Sequence, residues 1–127
     1  MAKTALITVA PNGARRTKAD HPALPISTQE IAQTAKACFA AGARAIHLHV
    51  RDDQGGHSLD AHRYRDAMDS IVDLALDMAI QITTEASGIY SVDQQYACLQ
   101  KVQPAAASVS IKEMSRVARK GIFFTEP

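Results

Sequence analysis

Apolar residues along the chain follow two alternating patterns. Short runs rich in β-branched residues, at 4–10 (TALITVA), 44–50 (RAIHLHV), 78–84 (MAIQITT) and 106–111 (AASVSI), alternate with stretches whose apolar positions recur every three or four residues. The first pattern predicts strands and the second amphipathic helices. Residues 4–10 are almost unbroken in apolar character, as expected of a parallel strand covered on both faces. Pro11-Asn12-Gly13 then ends it in a turn. Ser27-Thr28-Gln29-Glu30 reads as a capping box opening a helix. Ile31, Ala35, Cys38 and Phe39 form its stripe, and Gly42 is the residue just past its end.

After the second run, Gly55-Gly56 breaks the chain, and Tyr64, Met68, Ile71 and Leu74 trace a second helical stripe. A third helix opens at Ser91-Val92-Asp93-Gln94, presents Val92, Tyr96, Leu99 and Val102, and stops before Pro104. The order βαβαβαβ argues for parallel strands joined by right-handed crossovers. An open doubly wound sheet and a barrel both satisfy that order. No G-x-G-x-x-G follows the first strand, so the dinucleotide-binding form of the open sheet lacks its main support. A (β/α)₈ TIM barrel takes about 250 residues, and four βα units in 127 residues are about half of one. The expectation is a half-barrel: residues 1–127 as the N-terminal part of one barrel domain, with 112–127 a poorly matched tail. In that tail Phe123 and Phe124 are expected on an exposed barrel edge, where they invite association.

Composition narrows the function classes. Fourteen basic and thirteen acidic residues give a formal charge of +1. That is no electrostatic footprint for nucleic acid or for an anionic membrane surface. The apolar runs are far shorter than the roughly 20 residues a membrane helix needs. Cys38 and Cys98 stand apart in helical patterns, fitting reduced thiols, and the expected location is the cytoplasm.

Chemistry concentrates in the second run. Side chains alternate along a strand, so His47, His49 and Arg51 share one face and Ile46, Leu48 and Val50 the other. Imidazoles two residues apart start about 6–7 Å apart at Cα, close enough to chelate one ion. They also fall at the C-terminal end of the strand, where barrel active sites are built. Zinc suits two imidazoles, and iron, manganese and cobalt remain compatible; the plain alternative is two hydrogen-bonded histidines on a half-exposed strand. Thr83 with Glu85, and Ser108 with Ser110, supply further polar groups on shared faces of neighbouring strand ends. Arg15 and Arg16 follow the first strand and could hold an anion. His21, His57 and His62 are expected on the surface.

These segments resemble the β-keto acid cleavage enzymes, the family of 3-keto-5-aminohexanoate cleavage enzyme. The resemblance runs through Leu24-Pro25-Ile26-Ser27, Glu30-Ile31 and Ala40-Ala41-Gly42-Ala43, and is strongest at Ile46-His47-Leu48-His49-Val50-Arg51-Asp52. It continues through Ile80-Gln81-Ile82-Thr83-Thr84-Glu85-Ala86, Gly88, Tyr90, Pro104 and Ser108-Val109-Ser110, and thins after Glu113. It implies a zinc-dependent barrel that converts a β-keto acid and acetyl-CoA into acetoacetate and a new acyl-CoA. His47 and His49 match the family's zinc histidines, and Thr83, Ser108 and Ser110 match substrate-side positions. Arg51 and Glu85 are further candidates for contact with substrate. Arg15 stands where characterised members carry a glutamate, so the amino-substrate recognition of those members does not carry over to it.

The family's third zinc ligand and its catalytic arginine–aspartate pair have no counterpart in these residues, so the catalytic residues are not assigned. The resemblance thus implies a partial enzyme. Two other readings stand beside it: a catalytically inactive metal-binding half-barrel or assembly partner, and another metal-dependent barrel lyase or aldolase acting without coenzyme A. Self-association, or association with a complementary half, is expected because half a barrel leaves two strand edges unpaired.

Overall fold

In the computed structural model, which describes residues 4–75 and 77–113, β-branched and aliphatic runs form one parallel sheet and the amphipathic stretches cover it. The elements are β1 Thr8–Val9, α1 Thr28–Ala40, β2 Ala45–Leu48, β3 Val50–Arg51, β4 His57–Ser58, α2 Ala61–Ala75, β5 Ala79–Thr83, α3 Val92–Val102 and β6 Ala106–Ser108. The main sheet runs β1-β2-β5-β6, every pair parallel, and β3-β4 is a separate antiparallel hairpin.

Both capping boxes form. Ser27 accepts from the Glu30 amide while the Glu30 carboxylate accepts from the Ser27 amide, and Ser91 and Gln94 repeat the exchange at α3. Each closes two of the open donors of a first helical turn. Gly42 adopts φ +109 just after α1, a left-handed turn that only glycine makes freely, and its N–H returns to Phe39 O at 3.0 Å.

One core joins the layers. Ile46, Leu48 and Ile82 from the sheet pack with Ile31 and Ala35 of α1, Tyr64, Ala67 and Ile71 of α2, and Cys98 of α3. Ile46, Leu48, Ile71 and Ile82 are wholly buried, each worth about 1.5–3 kcal/mol in removal from water. The three helices therefore lie on one side of the sheet. A doubly wound sheet carries helices on both faces, whereas a barrel keeps one face for its lumen. Here the opposite face carries His47, Gln81 and Thr83, and this is barrel-type layering.

Several sequence expectations need correction. Only Thr8–Val9 of the first run forms strand, and Leu6 and Ile7 are 70% and 54% exposed rather than covered. Among the described strands β1 bonds to β2 alone. The second strand ends at Leu48, and Val50–Arg51 leaves it to pair with His57–Ser58. The Asp52 carboxylate causes the turn by accepting from the Gln54 and Gly56 amides at 2.9 and 2.7 Å. α3 buries Gln95 and Cys98 rather than Tyr96, which is 61% exposed. Phe123, Phe124 and most of the 112–127 tail lie outside the described residues.

Candidate functional site

Strand register assembles the site. β2 and β5 align so that His47 stands beside Gln81, and β5 and β6 align Thr83 with Ser108. All four point away from the aliphatic core. His47 Nδ1 donates to Gln81 Oε1 at 2.8 Å. An amide oxygen only accepts, so the hydrogen sits on Nδ1 and the Nε2 lone pair accepts from His49 Nε2. That Nε2 lies 3.2 Å from His49 Nε2, the rings meeting edge-on with centroids 5.0 Å apart.

His49 is buried, and burial together with the neighbouring His47, His57 and Arg51 holds its imidazole down at about 4. It is neutral at pH 7, as a metal ligand must be. Two nitrogens bound tetrahedrally at about 2.0–2.1 Å from one zinc would sit about 3.3 Å apart, and the observed 3.2 Å fits. The Gln81 contact is the outer hydrogen bond such a ligand requires. Among the described residues no group of three or more His, Cys, Asp or Glu side chains is placed to hold an ion. The fit therefore extends to two ligands. Glu85 does not extend it: its Oε2 lies 4.0 Å from His49 Nδ1, the nitrogen remote from His47.

In front of His47 lies a hollow of about 380 Å³ whose walls include Arg15, Thr83, Glu85, Ser108, Ser110 and Lys112. Ser108 donates to Thr83 Oγ1 at 3.2 Å, and Thr83 Oγ1 accepts from the Glu85 amide at 3.1 Å. The Glu85 carboxylate accepts from Ser87 Oγ at 3.0 Å and pairs with Arg15 at 3.5 Å. Arg15 remains 80% exposed, so that pairing is weak. The hollow thus brings together His47, Thr83, Glu85, Ser108 and Ser110 from the sequence-derived set.

Arg51 stands elsewhere. It is buried, and its guanidinium donates to the main-chain oxygens of Asn12, Gly13, Arg16 and Gly55 at 2.7–3.1 Å. It gathers the loop that carries Arg15. His57 is the clearest correction: expected on the surface, it is 6% exposed, with its ring 5.7 Å from that of His49. His21 and His62 are exposed as expected.

Three functional neighbours escaped the sequence reading. Gln81 was the polar member of an apolar run, and strand alignment with His47 would have found it. Glu113 accepts from the Ala86 and Ser87 amides at 2.9 and 3.2 Å and from Gln95 Nε2 at 3.3 Å, fixing the loop that carries Glu85. Gln95 itself is buried and also donates to Thr84 O at 2.6 Å. Neither has a sequence signal, since each acts across a long separation.

A model of the beta-keto acid cleavage enzyme family matches residues 4–127, running past Glu113, where the motif resemblance thins. The chain is 40% identical over 84 residues to a 3-keto-5-aminohexanoate cleavage enzyme of Fusobacterium nucleatum, covering 66% of this chain and 31% of that one. It is 33% identical over 111 residues to a 3,5-dioxohexanoate:acetyl-CoA acetone transferase of Paraburkholderia graminis, covering 87% and 36%. A 3-oxoadipate:acetyl-CoA acetyltransferase of Cupriavidus necator is 34% identical over 84 residues, covering 66% and 30%. The chain thus spans about a third of the length of the curated relatives it matches. Among solved structures, a ternary complex of ObcA with a C4-CoA adduct and oxalate superposes with TM-score 0.58 at 18% identity, covering 69% of this chain and 23% of that one. That likeness bears on the fold and agrees with part of an α/β barrel. No described helix is long and apolar enough to cross a membrane.

Proposed function

The chain belongs to the β-keto acid cleavage enzyme family, and from that premise we propose that its polar sheet face forms part of a zinc-dependent site exchanging fragments between a β-keto acid and acetyl-CoA. The carrying observation is the convergence of His47 Nε2 and His49 Nε2 at 3.2 Å, with the His47 tautomer set by Gln81. Zinc held there would act as a Lewis acid on the keto acid. The protein's own groups bind and orient. Thr83, Ser108 and Ser110 offer hydroxyls along one wall for the oxygens of the keto acid, and Glu85 faces them. Arg51 holds the loop that brings Arg15 to the rim.

Arg15 and Lys112 at the rim favour a keto acid with an anionic or neutral distal end over an amino-bearing one. Supplying purified protein with zinc, acetyl-CoA and a panel of β-keto acids tests both points. Formation of a new acyl-CoA is expected, with Arg15→Glu reducing kcat/KM for a dicarboxylic keto acid about tenfold or more. Zinc uptake with no acyl-CoA from any keto acid would refute the enzymatic reading. It would leave a metal-binding half-barrel that needs further ligands.

A further inference from the structure

His57 enters β4 with its ring inside the protein. Its Nε2 lies 2.6 Å from the main-chain oxygen of Glu85. That oxygen only accepts, so the hydrogen is on Nε2 and the lone pair is on Nδ1. His57 Nδ1 is buried and meets no hydrogen-bond partner among the described residues. Tyr90 packs edge-on against the ring at 5.8 Å and donates to His57 O at 3.2 Å, so the ring is held in place.

The neighbouring His49 shows the complementary deficit. Its Nε2 faces His47, and its buried Nδ1 also meets no hydrogen-bond partner among the described residues. When both Nε2 lone pairs serve one cation, the His49 hydrogen must sit on Nδ1. A buried donor without an acceptor then costs about 1–3 kcal/mol. The adjacent ring carries a buried acceptor without a donor. The two rings lie with centroids 5.7 Å apart, close enough for a single water to bond to both. Asn12 Oδ1 is the third buried side-chain polar atom without a hydrogen-bond partner among the described residues, and it belongs to the amide that donates to His49 O at 3.1 Å. With a cation bound, one water can accept from His49 Nδ1 and donate to His57 Nδ1; without it the His49 hydrogen sits on Nε2 towards His47, and the same water donates to both Nδ1 atoms.

We propose that one buried water links His49 Nδ1 to His57 Nδ1, making His57 the positioning residue for His49 as Gln81 is for His47. The inference rests on the zinc reading for its purpose but not for its geometry. Glu85 Oε2, 4.0 Å from His49 Nδ1, is the competing acceptor. It lies beyond direct hydrogen-bond reach, and the other oxygen of that carboxylate is taken by Ser87 and Arg15.

The test uses the protein with His57→Phe, His57→Gln and Glu85→Gln. Zinc affinity is measured by competition with a chromophoric chelator, and the cobalt-substituted protein is read by its visible absorption. His57→Phe keeps the ring volume and loses both nitrogens. Zinc affinity should fall about ten- to a hundredfold, with an altered cobalt spectrum. His57→Gln can both donate to Glu85 O and accept, and should restore most of the affinity; Glu85→Gln should change it little. Nitrogen NMR of the metal-free protein should show His57 protonated at Nε2, with a hydrogen-bonded, unprotonated Nδ1. Wild-type affinity in His57→Phe, or loss in Glu85→Gln instead, overturns the proposal. If the wild type takes up no zinc, the zinc reading falls while the His57 spectrum still decides the water link: an Nδ1 shift of a free lone pair overturns it, and a hydrogen-bonded one upholds it.

Discussion

Replacing Arg51 by lysine separates two roles that the strand pattern alone leaves joined. As a substrate ligand, Arg51 would be exchanged with a loss of binding and little loss of stability. The structure instead gives its guanidinium five hydrogen bonds to four main-chain oxygens, Asn12, Gly13, Arg16 and Gly55. A lysine ammonium places its donors on one atom and cannot span the loop after β1 and the turn of the β3-β4 hairpin together. At least two or three of those bonds are lost. Hydrogen bonds to charged groups contribute about 1.5–3 kcal/mol each when buried. Several of these are only part-buried, so the low end applies and the total is about 3 kcal/mol. For a domain of this size that is a fall in Tm of roughly 10 °C. Urea and thermal unfolding followed by circular dichroism measure it, and limited proteolysis between Asn12 and Asp20 should quicken. Unchanged stability with a raised KM would refute the reasoning and return Arg51 to the substrate.

Other outcomes follow from single contacts. Tyr64 is wholly buried and donates to Thr83 O at 2.9 Å; Tyr64→Phe should lower stability by about 1–2 kcal/mol, seen as a lower urea midpoint at constant slope, and an unmoved midpoint contradicts it. The Lys18 ammonium, with the Ser27 and Ile26 amides, holds the Glu30 carboxyl down at about 2 from its ordinary 4.5. The folded state thus binds fewer protons, so this contribution is complete above about pH 4.5 and is lost as pH falls towards 2. Glu30→Gln should flatten acid unfolding over that window, and identical acid slopes would contradict the assignment.

The alternation of strand and helix was readable because burial on one side imposes a period on each element. Ile46, Leu48 and Ile82 carry that period and fall in the core. The nearness of His47 and His49 followed from their spacing, although β2 ends at Leu48 and His49 lies just past it. The hairpin was not, because Val50 and Arg51 continue the apolar and polar pattern of β2, while the cause of the break is the Asp52 carboxylate beyond them. His57 looked like a surface residue because it follows two glycines; only the fold of that hairpin turns it against His49. α3 misled by hydrophobicity: Gln95 is buried because Thr84 O and Glu113 accept its hydrogens, and no apolar stripe announces that.

Metal content of the purified protein tests the central claim most directly. Elemental analysis with zinc titration should find one zinc bound by wild-type protein. His47→Ala and His49→Ala should each abolish stoichiometric binding, because one imidazole cannot keep a chelate formed by two. Undiminished zinc in both variants would show that the facing nitrogens of His47 and His49 hold no ion.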